Sequence, residues 1–524
     1  MPGNIYLCGP PGAGKSSVAP LLAALRASEA VDVDALIEAE DGRPIARIVE
    51  EDGEGAFRAR ERATITALAQ REHLIVALGA GALELAENRR VVEASGITVF
   101  LDASLATCER RTARQNGTRP LLREPGALAR LHAARRPRYL DAAIQVGADV
   151  EQPESVALAI EARLGERVVR VNTAKPYDVR IGPHVVAELP LRARPAPGGL
   201  VFVVADDALG NLGERIVRAY GFAGVGGGWI TVHADETLKS HESIGKLYES
   251  FVDFGVDRRG LIIGVGGGTI GDAVGFAAAT FQRGVPFVAV PTTLLCAVDA
   301  AIGGKTAINL PSGKNLVGTV TQPALVAIAP HLLRTLPRRD VISGYGEMLK
   351  YGLALDAELY RALRASEEAL LDDPASALDA IARCVALKAE IVAQDEEDRT
   401  GVRAVLNFGH TVGHALEKVA GYGTLRHGEA VIVGMRAELA LSAACGLLDE
   451  GARAEADEHL ARLPIGDAWR ALDADAVVTA SHSDKKRHAG GTQYVLLEAI
   501  GSSRLHDGVH DDDLRAALKA IGLS

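Results

Sequence analysis

Short, wholly apolar runs separated by helical spacing dominate the first 160 residues. NIYLCG, HLIVALG and ITVFLD each give the consecutive apolar positions of a short buried strand, and SSVAPLLAALRA places its apolar residues on one helical face. This alternation predicts a parallel sheet covered by helices. The pattern decays in the acidic, Ala-rich stretch around 145–165 and restarts at Val168, where VVRVN and YDVRIG read as strands. After the turn-rich RARPAPGG (192–199), LVFVVADD opens a second series of strands and helices that runs to about residue 330. Beyond residue 340 the spacing becomes helical, interrupted by the strand-like TQYVLLEAI (492–500). The run 261–281 is long enough for a membrane span, but its glycines and Asp272 make it a strand, a loop and a helix. The expected fold class is α/β: an N-terminal parallel sheet (1–160), a second α/β domain (168–340) and a mostly helical domain (341–524).

Composition narrows the function. A chain of 524 residues exceeds one hydrophobic core, and length alone suggests three or four domains. The net charge of −11 argues against a nucleic-acid partner, which would need a basic face. Five scattered cysteines without CxxC spacing suit a reducing compartment. No cationic leader precedes an apolar core at the N-terminus, so a cytoplasmic protein with no membrane partner is expected.

The first chemical signal is GPPGAGKS (9–16), a GxxxxGK[ST] loop between a strand and a helix. There the backbone N–H groups of Gly12, Ala13 and Gly14 can curl around phosphates, Lys15 can reach the β/γ oxygens and Ser16 can bind Mg²⁺. The motif specifies a nucleotide and leaves the acceptor open. Behind it come VDVDALIE, whose Asp32 and Asp34 read as the end of a strand with both carboxylates on one side, then Arg58 in GAFRARE, RPLL (119–122) and RRPRY (135–139). In this order these blocks resemble shikimate kinase over residues 1–160. The resemblance implies ATP held by Gly12, Ala13, Gly14, Lys15, Ser16, Ser17 and Arg119, and Mg²⁺ at Ser16 and Asp32. It places shikimate at Asp34, Arg58, Gly81 and Arg135, with Lys15 and Asp34 catalytic. The chemistry is consistent, because an anionic ring acid needs arginines and its attacking hydroxyl needs a carboxylate. The family's triple glycine reads Gly79-Ala80-Gly81 here.

A second signal begins at Gly266, where GxGxxG follows a strand and opens a helix, although the acidic residue expected about 20 positions later is missing. A dinucleotide remains the expectation. The following stretch plants Arg283, Asp299, Lys305, Lys314 and Asn315 in apolar surroundings, which is costly unless the cations meet an anion such as a phosphorylated substrate. GYGEMLKYG puts Glu347 and Lys350 on one helical face, and His410, His414 and His427 follow. Spacing alone makes the three histidines a candidate zinc site, since residues four apart on a helix can share an ion.

PTTLL, VD, GGKTA, GKN, GEMLKYG, LNFGHTVGHALE, HGEAV and SDKK, in that order, resemble 3-dehydroquinate synthase over residues 168–510. The resemblance implies a Zn²⁺ (or Co²⁺) set of Glu347, His410 and His427, with His414 moved to the phosphate side or the outer shell of the metal. It implies NAD contacts at Asp206, Glu236, Lys239, Gly267, Gly268, Asp272, Thr292, Thr293, Asp299, Lys314, Thr335 and Leu336. It further implies phosphate contacts from Lys305, Asn315, Asn407, His414 and Lys485 (or Lys486), carboxylate contacts from Lys388 and Arg403, and Lys350 beside the metal-bound hydroxyls. Lys305, Lys350, His414 and Arg283 count as catalytic, and Arg283, reaching a neighbouring subunit, implies a homodimer. Ala208, Asp235 and Ala300-Ala301 depart from the family pattern.

The combined expectation is a bifunctional enzyme of aromatic biosynthesis. One half would phosphorylate shikimate with ATP and Mg²⁺; the other would convert 3-deoxy-D-arabino-heptulosonate 7-phosphate to 3-dehydroquinate and phosphate, with NAD used and regenerated. The rival is a metal-dependent polyol dehydrogenase fused to a nucleotide-sensing P-loop module, which stoichiometric NADH build-up and an inert kinase segment would support.

Overall fold

The computed structural model describes residues 4–113, 126–421, 423–482, 487–488 and 491–524. The chain divides into two compact units, Met1–Gly165 and Glu166–Ser524. No helix among the described residues is long and apolar enough to cross a membrane.

Among its described residues the first unit holds five parallel strands: β1 (Asn4–Cys8), β2 (Glu29–Asp32), β3 (Leu74–Ala77), β4 (Gly96–Asp102) and β5 (Ile144–Gly147), in the order β2-β3-β1-β4-β5. Along β1, Ile5 and Leu7 enter one core and Tyr6 and Cys8 the other, as a strand covered on both faces requires. The stretch where the apolar pattern faded is the last strand plus the helix Pro153–Leu164. That helix buries Val156, Ala157, Ile160 and Leu164. Only Val146 of that strand is buried, which is why the sequence signal is weak there.

A second departure concerns Asp32 and Asp34, which do not share one strand. The strand stops at Asp32, whose carboxylate accepts from the N–H groups of Asp34 (3.0 Å) and Ala35 (3.2 Å) and so caps the helix Val33–Asp41. Asp34 therefore lies in the first helical turn, because the cap ends the strand two residues early.

In the second unit the large sheet, among the described residues, is built of β6 (Arg167–Val171), β7 (Tyr177–Ile181), β8 (Val201–Asp206), β9 (Gly227–Val232), β10 (Leu261–Gly266), β11 (Phe287–Pro291) and β14 (Leu325–Ile328), while Tyr494–Ala499 pairs with Ser502–His506 in a separate hairpin. They order β6-β7-β14-β11-β10-β8-β9, parallel except for the antiparallel β6–β7 pair. The chain goes outward from β8 to β9 and returns to the other side of β8 as β10. The strand order thus reverses between β8 and β10, where the C-terminal strand ends leave a crevice of the kind that receives dinucleotides. Between β11 and β14 stands an antiparallel hairpin of β12 (Lys305–Leu310) and β13 (Gly313–Val320).

Helices make up most of the rest. Every residue from Val341 to Ala354 in the helix Arg338–Leu355 is buried, Glu347 and Lys350 included. A helix hydrophobic on every side except for such a pair can only be central. Glycines let its neighbours approach: a Cβ on Gly428 would stand 1.9 Å from the Ser343 carbonyl oxygen, and one on Gly434 would stand 2.0 Å from that of Gly409. The helices Arg338–Leu355, His410–Ala420 and His427–Ala444 therefore meet at near backbone contact.

Candidate active sites

In the first unit the P-loop leaves the centre of the sheet, after β1. Lys15 donates to the carbonyl oxygens of Gly9 (2.8 Å) and Pro10 (3.2 Å), within its own loop. Arg111, which sequence reasoning passed over, reaches the carbonyl oxygens of Gly12 and Ala13, both at 3.3 Å. The acceptor side is tighter. Arg58 donates to Glu61 at 2.8 Å, and Glu61, fully buried, leaves its other oxygen without a partner. Burial raises the Glu61 carboxyl above its ordinary range, and Arg58 only partly offsets this. Glu61 was also missed, although its spacing of three from Arg58 is a helical-face pair.

The glycines there have a measurable role. A Cβ on Gly79 would lie 2.5 Å from Glu61 Oε1 and 2.9 Å from Asp34 Oδ1, and one on Gly81 would lie 2.6 Å from an Arg58 nitrogen. Ala80 stands between them, and its carbonyl oxygen accepts from the Tyr139 hydroxyl at 2.6 Å. The two positions that must lack a side chain are both glycine. Of the neighbouring arginines, Arg136 is committed to Asp102 through two bonds of 2.5 and 2.8 Å, whereas Arg135 acts on Glu61 and Tyr139. Arg119 lies outside the described residues.

In the second unit, Asp206 ends β8 and Gly267 opens the helix that follows β10, so both border the crevice where the strand order reverses. A Cβ on Gly267 would stand 3.0 Å from Thr293, and the Thr292 N–H is bound to the Gly266 carbonyl. Lys239 donates to Asp272 at 2.6 Å and to Asn315 at 2.5 Å, while Asn309 donates to Glu236 at 2.7 Å and Lys314 stands 3.7 Å from Glu236. The hairpin tip thus joins four of the residues assigned to the cofactor, Glu236, Lys239, Asp272 and Lys314. Asn315, assigned to phosphate, sits among them. Thr335 and Leu336 close the turn after β14.

The metal candidates converge. Glu347 Oε1 has no hydrogen bond and lies 3.4 Å from Nε2 of His410 and 3.4 Å from Nε2 of His427. The other ring nitrogen of each histidine is engaged: His410 Nδ1 with the Phe408 carbonyl at 3.2 Å, and His427 Nδ1 with Glu417 at 3.1 Å. This is the outer-shell pattern that orients ligating imidazoles. Glu417 is a further residue that sequence reasoning missed, two helical turns after His410. His414, Glu417 and His427 also come within ligating distance of one another. His414 is exposed, however, and Glu417 is already spent on His427. The buried, orphaned oxygen makes Glu347, His410 and His427 the better fit for a divalent ion.

The electrostatics agree with that fit. Burial alone would raise Glu347, but Lys350 and His410 hold its carboxyl well below the ordinary range. Burial lowers His410 to about 4, so its ring is neutral, whereas Glu347 and Glu417 outweigh burial at His427 and raise it to about 10. An ion bound there must displace that proton.

Beside this cluster runs a chain of charge. Lys350 stands 2.5 Å from Glu347 and 3.8 Å from Asp299; Lys388 (2.7 Å) and the Tyr351 hydroxyl (2.7 Å) both donate to Asp299. Asp299 thereby stays ionised: burial pushes it up, and Lys388 and Lys350 more than reverse that. Arg403 presses on Gly303, Asn407 donates to the Ala404 carbonyl, and Lys305 is ion-paired with Asp398. Arg283 is exposed on a left-handed turn, with φ 66° following φ 47° at Gln282. Lys485 and Lys486 lie outside the described residues.

Known proteins resolve the two halves separately. Family models match as shikimate kinase over residues 11–164, as 3-dehydroquinate synthase N-terminal over 229–343 and as 3-dehydroquinate synthase C-terminal over 344–487. The 3-dehydroquinate synthase of a Synechococcus strain is 42% identical over 333 residues, covering 62% of this chain and 89% of that protein. The chain belongs to the 3-dehydroquinate synthase family, fused to a shikimate kinase domain. The Methylococcus capsulatus synthase is 41% identical over 367 residues, covering 69% of this chain and 99% of its own length. Among solved structures, the 2-epi-5-epi-valiolone synthase ValA from Streptomyces hygroscopicus subsp. jinggangensis 5008, with NAD⁺ and Zn²⁺ bound, matches with a TM-score of 0.59 at 29% identity. It covers 66% of this chain and 96% of that one. This bifunctional kinase–synthase is thus a transferase and a lyase, and the dehydrogenase and nucleotide-sensor readings fall away.

Proposed function

We propose that the synthase site takes NAD in the crevice between β8 and β10 and a divalent ion, Zn²⁺ or Co²⁺, at Glu347, His410 and His427. The observation that carries this is the unpartnered Glu347 Oε1 facing two imidazole nitrogens. When bound, NAD supplies reversible hydride acceptance and the ion polarises the substrate's alcohol oxygens. The chain's own residues do the rest. Lys350, fixed between Glu347 and Asp299, offers a charged N–H beside those oxygens. Lys388 and Arg403 receive the substrate carboxylate. Lys305, Asn407 and His414 are the groups for the phosphate that leaves, and Lys305 exchanges Asp398 for that anion; Asn315, bound to Lys239, serves the cofactor side instead. Asp299 holds Lys388 in place, although burial lowers that ammonium's pKa, and together with Glu347 it keeps Lys350 charged.

For the kinase half, ATP with Mg²⁺ occupies the P-loop, with Lys15 moving from its loop carbonyls to the nucleotide phosphates and Ser16 and Asp32 serving the Mg²⁺. Arg58 and Arg135 bind the shikimate carboxylate, and Asp34 orients the attacking hydroxyl. The enzyme works in the cytoplasm as a homodimer, Arg283 reaching the second copy from its left-handed turn.

The test is a pair of assays on the purified chain: phosphate release from the heptulosonate phosphate with catalytic NAD, and ADP release with shikimate. Stoichiometric NADH accumulation would overturn the synthase reading.

A further inference from the structure

Both polar atoms of the Gln322 carboxamide, Nε2 and Oε1, are withdrawn from solvent and neither makes a hydrogen bond. Leaving a buried donor and a buried acceptor unsatisfied costs free energy on both counts, so the position calls for a partner. Its place in the fold says what kind. Gln322 follows β13 and packs against Gly304, where a Cβ would lie 2.9 Å from its amide carbon and 2.9 Å from Nε2. Gly303 and Gly304 have φ of +99° and +70°, a turn that only glycines adopt without strain. The same turn receives the Tyr177 hydroxyl on the Gly303 N–H (3.1 Å) and the Arg403 guanidinium against the Gly303 carbon, and it leads directly into Lys305. Lys305 pairs with Val320 at the open end of the hairpin, whereas Lys314 and Asn315 sit at its tip. Those ends are about 17 Å apart for a six-residue strand. The amide therefore belongs with the anion-binding cations rather than with the cofactor-side network.

We propose that Gln322 is a substrate contact and specificity determinant of the synthase site: Nε2 donates to an anionic oxygen of the polyhydroxy acid phosphate, and Oε1 accepts from one of its hydroxyls. This rests on the synthase reading above. A primary amide suits such a ligand because anionic and hydroxyl oxygens lie on one carbon chain, and a site left with an unpaired group rejects analogues lacking the hydroxyl.

The test uses the full-length enzyme loaded with NAD and metal, with the variants Gln322→Glu and Gln322→Leu. The expected result is a rise in KM for the heptulosonate phosphate of about ten-fold or more, steeper for Gln322→Glu, where a second anion faces the substrate. NAD affinity, metal content and kinase activity should stay at wild-type values, and the melting temperature of Gln322→Leu should be no lower than wild type, since an apolar group replaces an unsatisfied one. An unchanged KM in both variants, or a loss confined to NAD affinity or to melting temperature, overturns the proposal. Failure of the wild-type enzyme itself to release phosphate would instead overturn the synthase reading.

Discussion

The two sites on this chain treat charge differently. In the kinase unit, Lys15 and Arg111 rest on carbonyl oxygens of the P-loop, and Arg58, ion-paired with Glu61 and Glu54, backs the acceptor side. In the synthase unit, Glu347, Lys350, Asp299 and Lys388 compensate one another in series and are linked to two histidines. The first site is a set of contacts around the loop that leaves the centre of the sheet, each removable by itself. The second is a network in which every group sets the protonation of the next, so a single change propagates.

The largest expected effect is at the centre of that network. Glu347→Gln should reduce phosphate release on the order of 10⁴-fold and abolish tight metal binding, read by metal analysis after dialysis, while ADP formation with shikimate is unchanged. A parallel loss of kinase activity would break the contrast. Next comes Asp299→Asn, which leaves Lys388 and Lys350 without their shared counter-charge. A loss of about 3 kcal/mol in denaturant unfolding is expected, the low end for a broken buried pair because the Asp299 side chain keeps 26% exposure. The sign with pH follows from the depressed folded-state value. The stabilisation is fully present above the ordinary carboxyl value of 3.8 and is lost as pH falls through the lower folded value, so mutant and wild type should converge only in strong acid.

In the kinase unit, Lys15→Met should slow ADP formation on the order of 10²-fold and leave phosphate release untouched. Glu417→Gln should weaken metal binding by about 10- to 100-fold with the fold intact, which competition against a chelator would measure. The smallest effects separate two adjacent residues. Gly79→Ala places a methyl group against Glu61 and Asp34 and should raise the shikimate KM about ten-fold, whereas Ala80→Gly should change it little. Equal effects at both positions would show that the glycine pattern, rather than the contacts, had been misjudged.

Much of the fold was legible because local signals agreed: β1 and β10 are apolar runs that end at nucleotide-type loops, and the helices after residue 340 repeat cleanly. Legibility failed where area or capping decided the outcome. The strand Ile144–Gly147 buries only Val146, which leaves little trace in a hydropathy pattern. Asp34 reads as a strand residue because the two-residue spacing of the Asp32 and Asp34 carboxylates is visible in the sequence while the cap made by Asp32 is not. Glu61, Arg111 and Glu417 were passed over because each serves through a partner far along the chain or a helical turn away, and one charged residue among 24% charged residues carries no label.

The sequence by itself determined which residue types are available and in what order: a phosphate loop, a dinucleotide loop, a run of cations, and the acid and histidines of the metal candidate. Those are properties of composition and spacing. Only the tertiary structure decided which atoms meet. Glu347 and His410 stand 63 positions apart and are joined because glycines let three helices reach backbone contact. His414, four residues from His410 on the same helix, is turned to solvent while His410 is buried. Arg135 and Arg136 are neighbours in sequence, yet Asp102 holds one and leaves the other to the acceptor pocket. The physical reason is the same each time. Spacing fixes direction only within one element, whereas burial, partner and protonation depend on what the other elements bring.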